Sequence, residues 1–409
     1  MRFTQICYPL VSATASSVLA LTLAIPSWSA PRYKVLHAFT GGNDGGGLWG
    51  SLVLDKQGNV YGTTVAGGRK GKGGTAFELS RQANGVWSQT VLYNFCSLSD
   101  CTDGGGSTAG LIFDAAGNLY GTTESGGSHV YGTVFKLTAG SGAWKETVLH
   151  SFRFNQYGCC PKASLVMDNK GNLFGTASVA FELSPGAEDW KETVLHHFTG
   201  QHGDGSDAYA GLILDAAGNL YGQTEMGGSD RCGGGCGTVY QLTPTSDGKW
   251  KENVLHRFQA RWDGSSPVGA LLLDGTGNLY GTAGGGNAAH GVVFRLSLDA
   301  DGRWRETVVY NLLGGSDGDQ PGGGVAMDKV GNLYGTTVAG GDPNCDCGVV
   351  FKLAPGSDGK WSYTVLHRFL GSDGAQPAAA PILDSKGSLY GTTITGGSGG
   401  AGVVFEITP

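Results

Sequence analysis

Two glutamates share one position of a repeated sequence unit, and their placement could support catalysis. Glu124 and Glu225 each lie ten residues after a recurring aspartate, where the other copies carry Val, Ser, Gly or Ile. Paired carboxylates cleave glycosidic bonds, one as the acid and the other as the base or nucleophile. The pair predicts, as one alternative, the catalytic acids of a carbohydrate-active hydrolase or lyase.

Further residues near these acids could bind a sugar-sized ligand. Tyr157, Lys162, Tyr209 and Gln223 depart from the residue types of the other copies. They would add a base, an amide and two aromatic rings to the two acids. Trp49 and Trp262 are further candidates for stacking against a ligand. Sequence drift at exposed loop positions explains the same departures without any ligand, and this alternative stays open.

The elements that position these residues come from one repeat. Its anchor is an aspartate in the pattern Asp-x-x-Gly-Asn, followed by Leu-Tyr-Gly-Thr-Thr. The seven anchors are Asp55, Asp114, Asp168, Asp215, Asp274, Asp328 and Asp384. A short apolar run before each anchor predicts a strand, a, and the segment after the turn predicts a second, b. A Gly-x-Val-Phe segment and a Trp-Lys-Glu-Thr-Val-Leu-His segment predict strands c and d.

Seven units of four strands, with no helical pattern between them, predict an all-β fold, a seven-bladed β-propeller with four antiparallel strands per blade. The last unit ends after strand c, and the segment Tyr33–Phe39 reads as an unpaired strand d near the N-terminus. We expect this strand to complete the last blade and close the ring, because an open ring would expose strand edges.

The cysteines favour one face of this propeller. Eight follow the first strand d, in four close pairs, and all fall in loops d–a or b–c, which share one face that we call the loop face. They are Cys96, Cys101, Cys159, Cys160, Cys232, Cys236, Cys345 and Cys347. The even count predicts disulfides, with local pairing of Cys96 to Cys101 and of Cys232 to Cys236. A bond between Cys159 and Cys160 would be strained, and no zinc-finger spacing supports a metal cluster.

Repeated polar residues have a structural interpretation. Five histidines share one slot of strand d, and an Asp-Gly pair recurs eleven residues before six of the anchors. We interpret the histidines as structural and the Asp-Gly pairs as turns rather than a ring of cation ligands. Residues 297–304 have incomplete spacing for a calcium loop. The sequence predicts no cofactor and no metal site beyond this weak indication of Ca²⁺.

The ends and the charge of the chain predict its compartment. Residues 1–29 have the features of a secretory signal peptide, which leaves residues 30–409 as one propeller domain. No later apolar run is long enough to span a membrane. The net charge of −7 argues against nucleic acid as a partner. We expect an exported, extracellular monomer.

The repeat resembles a known family. Its Leu-Tyr-Gly-Thr-Thr, Gly-Thr-Val-Phe-Lys-Leu and Val-Leu-His-x-Phe elements are similar to those of the GloVer tandem-repeat family of exported bacterial proteins, over residues 32–409. The resemblance implies a secreted or surface repeat protein and carries over no catalytic residues. Because the chain ends inside the last repeat without a sorting tail, we expect a released protein rather than an anchored one.

Two functions follow as expectations. The first is a binding module that takes a glycan, such as an extracellular polysaccharide, or a protein ligand on its loop face, since the repeats contain no nucleophile–base constellation or phosphate loop. The alternative is the hydrolase or lyase, with a site around blades 2 to 4. Carboxyl groups more than about 10 Å apart would argue against the second.

Overall fold

The structure is a computed structural model that describes residues 31–69, 72–154, 158–286 and 289–408. It contains seven four-stranded antiparallel sheets, in which strands a, b, c and d lie side by side. The seven-bladed β-propeller predicted from the repeats is therefore confirmed. The predicted signal peptide, residues 1–29, lies outside the described residues.

The strands have the following bounds, in the order a to d. Blade 1 contains Val53–Leu54, Val60–Thr63, Thr75–Arg81 and Trp87–Asn94. Blade 2 contains Ile112–Phe113, Leu119–Thr123, Thr133–Ala139 and Trp144–Ser151. Blade 3 contains Val166–Met167, Leu173–Thr176, Val179–Pro185 and Trp190–His197. Blade 4 contains Ile213–Leu214, Leu220–Thr224, Thr238–Pro244 and Trp250–Arg257.

The remaining blades follow the same order. Blade 5 contains Ser265–Leu273, Leu279–Gly284, Val292–Leu298 and Trp304–Asn311. Blade 6 contains Asp319–Met327, Leu333–Ala339, Val349–Pro355 and Trp361–Arg368. Blade 7 contains Ile382–Leu383, Leu389–Thr392 and Val403–Thr408, with Arg32–Ala38 as its strand d. A short strand pair, Gly205–Ser206 with Met226–Gly227, and two 3₁₀ turns, Ser99–Cys101 and Gly315–Asp317, complete the elements.

Strand a turns into strand b through the repeated aspartate. In blade 2, Asp114 Oδ1 accepts hydrogen bonds from the N–H groups of Ala116 and Asn118, and Oδ2 accepts from the Asn118 amide and the Tyr120 hydroxyl. One carboxylate thus satisfies donors from the turn and from the returning strand. The anchor is a structural residue of the turn.

A glycine at the middle of strand b lets the sheets pack closely. A Cβ added at Gly121 would lie 2.6 Å from Cζ of Phe135 on strand c and 2.9 Å from Leu111 before strand a. Only glycine leaves room for that ring. The buried Phe135 can therefore fill the interface with the neighbouring blade.

The hydrophobic core consists of seven clusters, one between each pair of neighbouring blades. Each cluster joins strands c and d of one blade to strands a, b and c of the next. The cluster between blades 7 and 1 packs Leu36 and Phe39, which belong to the closing strand and its end, against Val60 and Phe77. The ring is therefore continuous through the N-terminal strand.

Within the described residues, the helical content is limited to the two short 3₁₀ turns, and none of it could cross a bilayer.

Candidate functional site

The loops of the loop face contact one another within each blade. In blade 2, a main-chain bridge joins Gly105 of the d–a loop to Ser125 of the b–c loop. The same bridge joins Gly46 to Ala66 in blade 1. These contacts place the two loop types together, as the topology predicted.

Residues six positions before each anchor lie next to one another around the ring, and we call this position the rim slot. Thr108 of blade 2 donates its hydroxyl to the carbonyl of Lys162 of blade 3, at 3.3 Å. On the other side of the ring, Gly323, beside the rim slot of blade 6, donates its N–H to Ala378 O of blade 7, at 2.6 Å. From blade 1 to blade 7 the rim slot holds Trp49, Thr108, Lys162, Tyr209, Val268, Gly322 and Ala378. The large aromatic and polar side chains thus follow one another on blades 1 to 4.

Three of the predicted site residues meet at this rim. Lys162 Nζ lies 3.4 Å from Oε1 of Glu124 and 4.8 Å from the centroid of the Tyr209 ring. The side chains of Lys162 and Glu124 are 43% and 37% exposed, so both remain available to a ligand. Residues of blades 2, 3 and 4 therefore form one cluster, which we call the rim cluster.

The shape of blade 3 permits this meeting. Only residues 177 and 178 connect its strands b and c, so blade 3 has no long b–c loop at the loop face. The equivalent loop of blade 2 carries Glu124, and that of blade 4 carries Glu225. The missing loop leaves space in which Lys162 reaches both neighbouring blades.

The Tyr209 phenol stays protonated in this setting. Burial raises its pKa, and the nearby Asp207, Cys159, Cys160 and Glu124 raise it further. A protonated phenol next to a lysine and a glutamate can both donate and accept hydrogen bonds. The rim cluster thus offers an aromatic face, a cation and an anion to one ligand.

Glu225 does not join the rim cluster. Its side chain is exposed, and it forms no hydrogen bond or ion pair with the part of the chain that the structure describes. Its main-chain N–H donates to Asp207 O at 3.2 Å. Glu124 instead forms an ion pair with Lys162. Tyr157 lies outside the described residues.

Gln223 has a structural role, which corrects its assignment to the ligand site. Its amide is fully buried and donates to the carbonyls of Val268 and Gly269 in blade 5, both at 2.8 Å. The other six blades carry threonine here, and Thr63, for example, donates to Ala109 O of the next blade. The longer glutamine donates to the carbonyls of two consecutive residues in strand a of blade 5. The departure from the repeat therefore reflects packing between blades.

The cysteines follow the predicted pairing with one correction. Disulfides join Cys96 to Cys101, Cys232 to Cys236, and Cys345 to Cys347. Cys159 and Cys160 are free thiols, because adjacent Cα atoms are held about 3.8 Å apart, closer than disulfides prefer.

The two free thiols border the rim cluster. The N–H of Cys160 donates to Tyr131 O in the b–c loop of blade 2, at 2.9 Å. Burial and the neighbouring Cys159 raise the pKa of the Cys160 thiol to about 12. It is therefore a neutral and poorly nucleophilic group at physiological pH.

Exposed aromatic residues concentrate on the loop face. Trp49 and Trp262, both predicted for stacking, are 48% and 51% exposed. Tyr131 and Phe154, which the sequence reasoning missed, are also exposed, with ring centroids 5.5 Å apart. The only feature of the sequence that could have indicated these two residues is that large aromatic side chains lie in predicted loops. Among the described residues, every large aromatic side chain classed as exposed lies in a loop of this face.

A polar belt runs along strand d between neighbouring blades. In all six Asp-Gly pairs the carboxylate faces the repeated His or Tyr of strand d, as in His37 with Asp44 at 3.4 Å and Tyr93 with Asp103 at 2.8 Å. The same carboxylates accept main-chain N–H groups, such as Thr40 N to Asp44. These contacts support the turn interpretation, and the Asp299 carboxylate within residues 297–304 likewise accepts from Asp301 N, Arg303 N and Arg305 Nε.

A third member of this belt was not recognised in the sequence. Four residues before each His or Tyr, strand d carries a side chain that reaches back to the preceding blade. It is Tyr33, Gln89, Glu146, Glu192, Glu252, Glu306 or Tyr363. The glutamates are largely buried, and burial raises the pKa of Glu192 to about 7. Its neighbour His150, 3.4 Å away, has a pKa lowered to about 4, first by burial. Over most of the range between pH 4 and pH 7, both His150 and Glu192 are therefore uncharged.

Two grooves in the surface do not coincide with the rim cluster. One of about 640 Å³ lies between the outer strands of blades 2 and 3 and is lined by His129, His150, Trp190 and Glu192 among others. A second, of about 540 Å³, lies between turns of blades 3 and 4 on the opposite face. The partly exposed side chains of the rim cluster suit an extended ligand better than a small enclosed one.

Two solved structures are distantly similar to this chain. A gluconolactonase from Xanthomonas campestris is 13% identical, with a TM-score of 0.38, over 72% of this chain and 82% of that one. A putative oxidoreductase (glucose dehydrogenase) from Thermus thermophilus is 14% identical, with a TM-score of 0.44, over 93% of this chain and 100% of that one. Such distant similarity carries no argument about activity.

The family is shown by sequence. Among curated proteins, none matches this chain. The model of the Gloeobacter/Verrucomicrobia repeat matches residues 26–187, 177–344 and 305–409, which together span the described propeller. The chain therefore belongs to the Gloeobacter/Verrucomicrobia repeat family.

Proposed function

We propose that this protein is an extracellular binding module that takes a segment of polysaccharide across its loop face, centred on the rim cluster. The observation that carries the proposal is the convergence of Glu124, Lys162 and Tyr209 from three consecutive blades, with all three side chains open to solvent at least in part. A set of side chains that only stabilised the fold would be expected to recur in other blades, and this set does not.

The chemistry of the cluster fits a sugar. An aromatic face packs against the C–H face of a pyranose ring, and flanking charged groups form hydrogen bonds with its hydroxyls. Trp49 occupies the rim slot of blade 1, and Trp262 lies in the loop that leads to blade 5. An extended chain of sugars could contact these aromatic residues in turn, whereas a small molecule would require an enclosed pocket.

Three disulfides and the bacterial repeat family are compatible with an extracellular location. We infer export through residues 1–29, whose sequence has the charged start, apolar centre and small-residue end of a signal peptide. Release of residues 30–409 into the medium, with N-terminal sequencing of the product, tests this part.

The binding test uses a glycan array and isothermal titration with the oligosaccharides that the array selects. We expect Tyr209→Ala and Lys162→Ala to weaken binding by at least about 10-fold, equivalent to ~1.4 kcal/mol, through loss of stacking and hydrogen bonds. Glu225→Ala is the matched control for Glu124→Ala, because the two glutamates share one slot and only Glu124 lies in the cluster.

The same variants separate binding from catalysis. The binding-module proposal is supported if the protein binds an oligosaccharide without cleaving it and if Glu225→Ala leaves that binding unchanged. Release of reducing ends from a polysaccharide, lost in both Glu124→Ala and Glu225→Ala, would overturn it in favour of the hydrolase or lyase. Capture of a protein in place of any glycan would also contradict the proposed ligand class.

A further inference from the structure

Three side chains with metal-ligating atoms converge at the outer part of the interface between blades 3 and 4. His196 belongs to strand d of blade 3, Asp204 to the loop that follows it, and Glu252 to strand d of blade 4. His196 Nε2 lies 3.3 Å from Asp204 Oδ1 and 3.7 Å from Glu252 Oε2. One ligand atom of each residue lies within 4.8 Å of the other two.

We propose that His196, Asp204 and Glu252 bind one divalent transition-metal ion of the zinc class. An imidazole nitrogen and two carboxylate oxygens are a ligand set that Zn²⁺ accepts, at about 2.0–2.2 Å from the ion. Two ligands at that distance with a tetrahedral angle are about 3.4 Å apart. The spacings around His196 Nε2 match this value, so the three groups could close on an ion with small side-chain movements.

The surroundings orient these ligands. Asp204 Oδ2 accepts hydrogen bonds from the N–H and the hydroxyl of Thr199, at 2.7 and 2.8 Å, which directs Oδ1 toward His196. The His196 ring packs edge-on against Phe198, with centroids 4.8 Å apart. Hydrogen bonds from an outer shell of this kind commonly fix metal ligands.

Glu252 is the buried acid of this group. Its side chain is only 14% exposed, and its Oε1 is buried without a hydrogen-bond partner among the described residues, as is an oxygen of Glu146, Glu192 and Glu306 in the same slot. A buried carboxylate oxygen with no donor is costly, and a cation would relieve that cost. The chemistry therefore favours a positive ion beside Glu252.

The other blade interfaces provide the comparison. The combination of His, Asp and Glu in these three slots recurs at one other interface, between blades 4 and 5, where His256 and Asp263 are 3.4 Å apart. Both carboxylate oxygens of Glu306 are buried there without a partner in the described chain, and Glu306 lies in no three-residue ligand group. The sequence slots alone thus do not define the site, and the interface between blades 4 and 5 is its natural control.

A metal at this place would join blade 4 to blade 3. Three protein ligands leave one position for water, so the ion would be held partly by the protein and partly by solvent. Blade 3 lacks a long b–c loop, and a metal clasp would add a further link between it and blade 4. This proposal is independent of the proposed glycan binding.

The test uses the purified chain without an affinity tag, stripped with chelator, and carrying Cys159→Ser and Cys160→Ser so that free thiols do not compete for zinc. Isothermal titration with Zn²⁺ at pH 7.5 should show one site per chain. Glu252→Gln and Asp204→Asn should each weaken that site by about 10-fold or more. Glu306→Gln should leave the zinc affinity within about twofold of the parent.

Several results would overturn the proposal. They are the absence of saturable zinc binding by the parent, equal weakening in Glu306→Gln, and unchanged binding in both Glu252→Gln and Asp204→Asn. The folding of each variant is checked by circular dichroism. Glutamine should be tolerated at position 252, since Gln89 occupies the same slot in blade 1. If one ligand variant fails to fold, the other still decides the outcome.

Discussion

At the scale of single residues, the strand-d slot before the repeated His or Tyr holds a hydrogen-bond donor in blades 1, 6 and 7. The Tyr33 hydroxyl donates to Asp373 O at 2.6 Å, and Gln89 Nε2 donates to Asp44 O at 3.4 Å. A glutamate can donate in the same place only when it is protonated. Burial, with a contribution from Asp263, raises the pKa of Glu306 to about 8. We infer that Glu306 carries a proton in the folded protein at neutral pH.

Glu306 therefore makes stability depend on pH in a defined direction. Its folded pKa lies above its usual value of 4.5, so the folded state holds a proton that the unfolded state releases. The resulting stabilisation is complete below about pH 4.5 and is lost as the pH rises through about 8. We expect Glu306→Gln to raise the free energy of unfolding at pH 9 by about 1 kcal/mol, after reduction for solvent screening, and to change it little at pH 5.

Urea denaturation at the two pH values measures this difference. Glu225→Gln, an exposed glutamate without described side-chain partners, serves as the control and should have no effect at either pH. A lower stability of Glu306→Gln at pH 9 would show that Glu306 is ionised and held by a partner, contrary to the inference.

At the scale of elements, the N-terminal strand holds three blades together. Arg32–Ala38 pairs antiparallel with Val403–Thr408 of blade 7. The Tyr33 ring stacks on His367 of blade 6, with centroids 3.7 Å apart. Leu36 packs in the core cluster between blades 7 and 1. One strand thus contributes to two blade interfaces and completes one sheet.

Deleting residues 31–39 should prevent formation of a cooperatively folded ring. The deletion exposes the edge of Val403–Thr408 and removes Phe39, which is fully buried. We expect aggregation or loss of the cooperative transition in thermal unfolding. Lys34→Ala changes an exposed side chain of the same strand and should leave the melting temperature within about 1 °C. A deletion variant that melted like the parent would refute closure by this strand.

At the scale of the whole molecule, the outer edges of several blades carry charged residues. Each blade ends in a strand d whose burial alternates, and the exposed second position holds Lys145, Lys191 and Lys251 in blades 2 to 4. Charged side chains on an edge strand disfavour pairing with another chain. The other edge of each four-stranded sheet is its short strand a. We therefore expect a monomer in solution.

Sedimentation equilibrium should give the mass of one chain up to ~100 µM, in the range where weak association would appear. Replacing Lys145, Lys191 and Lys251 together by Val should produce self-association, because it makes three adjacent edges apolar and β-prone. A dimer of the parent protein, or a triple variant that stays monomeric, would contradict this explanation.

The repeat determined most of the fold from sequence alone. The Asp-x-x-Gly-Asn turn and the short strands are local features, and seven copies leave few architectures that bury every strand. The closing strand was equally predictable, since Arg32–Ala38 complements the strand that the last blade lacks. Two disulfide pairs were predictable because their cysteines are close in sequence.

The candidate site was predictable only in part. Comparing equivalent positions of the repeats predicted that Glu124, Lys162 and Tyr209 lie in one region, because residues at equivalent positions of adjacent blades are neighbours in a ring. The same reasoning was wrong for Gln223, whose departure from threonine serves an inter-blade hydrogen bond. Sequence position tells which blade a residue belongs to, but not whether its side chain points into an interface or into solvent.

Tertiary structure alone decided the contacts between blades. His196 and Glu252 occupy slots that recur around the ring. Among the described residues, their ligand atoms lie close to one of Asp204, whereas the equivalent residues of the next interface form no such group of three. The approach of neighbouring strands determines whether their side chains come close enough to bind one ion at metal–ligand distances. Such distances result from the packing of two whole sheets, so no local pattern in the sequence records them.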